Sequence, residues 1–117
     1  MKVIKIDSAN KTITQIEMGK GLESIYEAIG NKCTCFTCPI ELENGDVIYA
    51  DDEGLFHPFE GGIMMPNWNY PIVGNILIVG SDDEGDSVDA KTTVEEITPL
   101  IEWVGKDRCE MWASQFR

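Results

Sequence analysis

Pro71-Ile72-Val73-Gly74-Asn75-Ile76-Leu77-Ile78-Val79-Gly80 is the stretch on which the fold depends. Its segment Ile76-Leu77-Ile78-Val79 is the longest uninterrupted apolar run in the chain. Successive side chains of a strand point to opposite faces, so a run without polar alternation has no face for water. Apolar continuity with β-branched enrichment predicts a central strand covered on both faces. The run has strand length and falls far short of the roughly 20 residues of a membrane span.

Partners for that strand lie upstream. Val3 to Asp7 reads as a strand with Ile4 and Ile6 on one face. Ser8-Ala9-Asn10-Lys11 is a turn by composition. Thr12 to Met18 reads as the returning strand of an antiparallel hairpin. Leu22, Ile25, Tyr26 and Ile29 recur at helical spacing, and Gly30 supplies a stop. Cys33 to Leu42 alternates like a strand, but Pro39 cannot donate to a ladder. That places it at a sheet edge or at a bulge. Asn44-Gly45 is a strong hairpin signal, and Val47 to Ala50 is the partner strand. Leu55 to Tyr70 mixes Pro58, Gly61, Gly62 and Pro66 with Phe56, Phe59, Met64, Met65, Trp68 and Tyr70. It reads as an irregular loop packed over a sheet face.

Downstream, Ser81 to Asp89 is an acidic loop. Thr92 and Glu95 fit a capping box, and Val94, Ile97, Ile101 and Val104 keep helical spacing. Pro99 interrupts it, so the helix kinks there or Thr98 caps a second helix. Lys106 to Arg117 reads as a further helix. The expectation is one α+β domain over 1–117, with 105–117 as a C-terminal helical extension. It has a mainly antiparallel sheet of about five strands, with two or three helices packed on one face.

The chain has 117 residues, with 21 acidic against 9 basic and a formal charge of −12. Such a field repels nucleic acid and anionic membranes and favours basic partners. Solubility alone also accounts for it. No apolar leader follows Met1-Lys2, and the cysteines do not have the spacing of a disulfide framework. The expected location is the cytoplasm.

Several segments resemble one family. They are Met1-Lys2-Val3-Ile4-Lys5-Ile6-Asp7, Asn44-Gly45-Asp46-Val47-Ile48-Tyr49, Asp52-Glu53-Gly54-Leu55, and Pro71-Ile72-Val73-Gly74-Asn75 leading to Val79-Gly80. They are similar to a family of small uncharacterised proteins carried by bacteriophages and mobile elements, over roughly residues 1 to 104. The cysteine run and the aromatic tail stand outside that pattern. The resemblance implies an accessory gene product inside a bacterial host cell. It implies no activity and no catalytic residue.

Candidate chemistry is sparse. Cys33, Cys35 and Cys38 with Cys109 or His57 supply the donor types of a tetrahedral zinc site. Strand alternation would turn Cys38 away from Cys33 and Cys35, so buried free thiols are the plainer expectation. His57 is the only histidine. A cysteine–histidine nucleophilic pair would need a third orienting group beside it, and no catalytic residue is assigned. The acidic stretches Asp51-Asp52-Glu53 and Asp82-Asp83-Glu84-Gly85-Asp86 do not follow the EF-hand pattern. Taken together they can act as an acidic protein-binding face that imitates the charge of DNA. The aromatic tail with Trp112 and Phe116 is a second candidate contact, for a partner or for self-association.

The leading expectation is therefore a non-enzymatic protein-binding factor with no cofactor, directed at a basic host protein. Direct nucleic-acid binding and membrane association are not expected. A zinc-binding domain on the cysteine cluster is the alternative, and an enzyme of unknown type is a third.

Overall fold

The computed structural model describes residues 1–19, 21–30, 36–51, 59–66 and 68–115, with the backbone alone at 22 and 36–39. The strands are β1 (Lys2–Asp7), β2 (Thr12–Glu17), β3 (Phe36–Glu41), β4 (Val47–Asp51), β5 (Gly61–Met64), β6 (Ile72–Val73), β7 (Asn75–Ser81), β8 (Ser87–Val88) and β9 (Glu102–Gly105). The helices are α1 (Leu22–Ile29), α2 (Val94–Ile97) and α3 (Lys106–Ala113).

The strand that decides the fold is β7, and it sits at the centre. The larger sheet runs β2-β1-β7-β4-β3, with β8 added beside β7. All pairings are antiparallel. Ile76, Leu77, Ile78 and Val79 are all fully buried. Leu77 and Val79 pack with Val3, Ile25 and Ile29, so α1 covers that face. Ile76 and Ile78 pack with Ile4, Ile6, Ile48 and Ala50 on the other face. Each such side chain contributes about 1.5–3 kcal/mol when removed from water.

That second face is closed by a smaller sheet, β6-β5-β9, through Ile63, Ile72 and Met65, and by Ile97 of α2. The reverse side of the small sheet carries Val73 and Val104, which pack with Cys109 and Ala113 of α3 and with Phe59. The molecule is thus layered as helix, sheet, sheet, helix. The α+β class with a mainly antiparallel sheet is as expected. The helices, expected on one face, are divided between α1 on one side and α2 with the small sheet on the other. The division follows from β7, which has two apolar faces to cover. Gly62 is the close-approach point in the small sheet. A Cβ there would lie 2.5 Å from the Ile72 carbonyl oxygen and 3.2 Å from Cys109 Sγ.

Other local expectations shift in register or type. Ile72 and Val73 do not belong to the central strand, because Gly74 at φ 81° turns the chain between β6 and β7. Within the segment read as a loop, Gly61–Met64 is a strand, paired with both β6 and β9. Pro39 meets both conditions set for it: β3 is an edge strand, and its register slips between Thr37 and Ile40. The capping residue is Thr93, not Thr92: its hydroxyl accepts the Glu96 N–H at 3.2 Å. The helical spacing from Val94 to Val104 also breaks up. A single 3-10 turn, Thr98–Leu100, holds Pro99 near its start, and Ile101 is extended. Val104 then lies in β9.

Candidate functional site

The pairing of β4 with β7 decides where charge gathers. Val47 stands opposite Val79 and Tyr49 opposite Leu77. The turn that precedes Val47 and the turn that follows Ser81 therefore lie at the same end of the sheet. Asp51 lies at the far end of β4, opposite Phe36. The acidic segment Glu41 to Asp46 and the stretch Asp82 to Asp86 thus come together, and Asp51 departs from them. Asp52 and Glu53 lie outside the described residues.

The two turns are built alike. In one, Leu42 N–H donates to the Asp46 carbonyl at 2.7 Å and Gly45 N–H to the Leu42 carbonyl at 3.0 Å. In the other, Asp82 N–H donates to the Asp86 carbonyl and Gly85 N–H to the Asp82 carbonyl, each at 3.0 Å. Gly45 and Gly85 hold φ 91° and 83° at the equivalent position, the left-handed residue of a three-residue hairpin loop. Asp82 stiffens its own turn, since its Oδ1 accepts the N–H groups of Glu84 and Asp86.

The result is an acidic end. Glu41, Glu43, Asp82, Asp83, Glu84, Asp86 and Asp89 are all exposed there. Among the described residues, none of these carboxylates is held in an ion pair. The Lys91 ammonium donates instead to the Asn44 carbonyl at 3.3 Å.

Asp46 differs from the rest because it is fully buried. Its carboxylate accepts the N–H groups of Lys91 and Thr92 at 2.9 and 2.8 Å. It also accepts the Thr92 hydroxyl at 2.7 Å. Asn44 Nδ2 donates to Thr92 Oγ1 at 3.0 Å. A buried carboxylate needs such a set of donors, and here they come from the segment that leads into α2. The knot explains why Thr92 does not cap α2.

Beside the knot lies an open groove of about 730 Å³. The β3–β4 turn forms one wall, and α2 with its 3-10 turn forms the other. Leu42, Met65, Trp68, Ile97 and Leu100 give it an apolar lining, while Glu41, Glu43 and Glu96 add carboxylates. Trp68 Nε1 is buried and has no hydrogen-bond partner among the described residues. The Trp68 ring leads to Tyr70 at 4.9 Å, and Tyr70 stacks on Trp112 at 5.4 Å and 5°. Trp112 thereby belongs to an aromatic row. Phe116 lies outside the described residues.

The groove was not visible in the sequence, because its lining comes from segments far apart along the chain. Trp68 was the one signal, as a large aromatic residue in an irregular segment.

The cysteine cluster is only partly placed. Cys33, Cys35 and His57 lie outside the described residues, and Cys38 is placed by backbone alone. Cys109 is fully buried under α3, with its Sγ 3.8 Å from the Val104 carbonyl. Burial pushes its thiol up; Arg108 partly opposes this and Glu110 adds to it. A thiol held protonated is a poor nucleophile and a poor metal ligand. Among the described residues, no group of three His, Cys, Asp or Glu side chains could hold a metal ion. Among the same residues, no helix is long and apolar enough to cross a membrane.

Comparison with known proteins gives a family and no activity. The family DUF3846, a domain of unknown function, matches residues 1–102, and the chain belongs to it. No curated protein and no solved structure matches. The family span ends just inside β9, so most of β9 and all of α3 lie beyond it.

Proposed function

We propose that this domain is a non-enzymatic accessory protein of a phage or mobile element, working in a bacterial cytoplasm through protein binding. Its acidic end engages a basic host protein. A DNA-binding protein is the favoured kind of partner, since carboxylates fixed on rigid turns can occupy a cleft shaped for phosphates. The single observation that carries the reading is the β4–β7 register, which gathers two acidic turns at one end of the sheet. Like-charged groups crowded together, with no ion pair to them among the described residues, cost the folded state repulsion, and a cationic partner relieves it. The segments similar to phage and mobile-element proteins support the setting.

Affinity capture from a bacterial lysate tests this. Basic proteins are expected on the immobilised domain at low salt and are released at high salt, because exposed charges are screened. Added duplex DNA competes if the partner is a DNA binder. Retention of no basic protein at low salt contradicts the proposal.

A further inference from the structure

We propose that the groove between the β3–β4 turn and α2 is a peptide-binding site. Its occupant is a short segment of a protein partner that carries apolar anchors flanked by Lys or Arg. This rests on the protein-binding reading above and names the part of the partner that is held.

The chemistry of the groove selects that occupant. Its lining is mainly apolar, and Leu100 is 46% exposed on one wall. An apolar side chain left in water beside a concave apolar lining gains from being covered. Glu41, Glu43 and Glu96 stand among the lining residues, and among the described residues of the lining there is no Lys or Arg. An anchor of apolar side chains alone would leave these carboxylates facing a low-dielectric contact without a counter-charge. Basic flanks supply it. A second copy of this chain would bring another acidic rim, with a formal charge of −12 on each molecule, and is disfavoured by repulsion.

The walls are also fixed in advance. The β3–β4 turn and the segment entering α2 are joined by Asp46 and Thr92, both buried. A site whose walls are locked together loses little entropy when it is filled. Trp68, whose buried Nε1 has no partner among the described residues, is one of the lining residues.

Selection from a displayed library of random peptides of about a dozen residues tests the site, with the intact chain as bait. Enriched peptides are expected to combine apolar residues with Lys or Arg. They should bind Leu100→Lys and the double variant Glu43→Lys/Glu96→Lys about tenfold or more weakly than the parent chain. All three altered side chains are exposed, and an unchanged thermal melt shows that each variant is folded. The inference is overturned if no peptide is enriched, if the enriched peptides lack basic residues, or if they bind Leu100→Lys as tightly as the parent. Failure here with basic proteins still captured from lysate would remove the groove and leave the acidic end. Enriched peptides without lysate capture would keep the groove and remove the basic host partner.

Discussion

The Thr92 hydroxyl donates to the Asp46 carboxylate at 2.7 Å, deep enough that Asp46 is fully buried and Thr92 only 6% exposed. Forty-five residues separate Asp46 from Lys91, whose N–H the same carboxylate accepts. The contact therefore ties a hairpin turn to the entry of a helix, and it sets the width of the groove between them.

Asp46→Ala should be among the most damaging substitutions at this end of the molecule. It leaves the Thr92 N–H buried without an acceptor and weakens the placement of the Asn44–Thr92 bond. A cost of about 3 kcal/mol is expected in urea denaturation. Asp46→Asn keeps an acceptor oxygen and should cost about half of that. Equal stability of the alanine variant and the parent would remove the knot from this account.

Leu77→Ala and Ile78→Ala should each cost about 2–5 kcal/mol, although the two side chains point to opposite faces of β7. In a sheet with one wet face only one of them would matter. The same denaturation experiment distinguishes the two cases.

Asp7 contributes to acid stability. Burial pushes its carboxyl up, but the Asn10 side chain, the Asn10 and Ala9 N–H groups and the Lys5 ammonium outweigh that and hold it below its ordinary value. A depressed carboxylate stabilises the fold above its unfolded pKa, and the contribution is lost as the pH falls through the folded value. Asp7→Asn keeps an acceptor for the turn but cannot titrate. The stability difference between parent and variant should shrink as the pH is lowered below about 4. A difference independent of pH would contradict the assignment.

Cys109 should resist alkylation at neutral pH in the folded protein and react in denaturant. Full burial blocks access, and the raised pKa keeps the thiol protonated. Peptide mapping after treatment with iodoacetamide separates its signal from those of Cys33, Cys35 and Cys38. Rapid labelling in the native state would show that α3 lifts away from the small sheet.

What could be read from the sequence was local. The continuous run Ile76 to Val79 placed the central strand. Asn44-Gly45 placed a hairpin, and Pro39 placed its strand at an edge or at a bulge, because each acts through its own backbone. The small sheet escaped detection, since Gly61–Met64 and Ile72–Val73 are too short for their periodicity to stand out and are held by partners distant in sequence. The helical spacing of Ile97 and Val104 was accidental: one packs under the large sheet and the other under α3. Thr92 failed as a cap because Asp46 takes its hydroxyl. Loop composition showed the acidic turns but not their meeting, which depends on the pairing of Val47 with Val79.

The most direct test compares two variants of equal net charge. One neutralises Glu41, Glu43, Asp83 and Glu84 at the acidic end as amides. The other neutralises Glu27, Asp51, Glu60 and Asp107, which lie away from the two turns. Capture of basic proteins from a bacterial lysate at low salt should fall sharply for the first and stay near the parent level for the second. Equal losses in both would mean that bulk charge alone governs binding, and would contradict a binding face at the β3–β4 and β7–β8 turns.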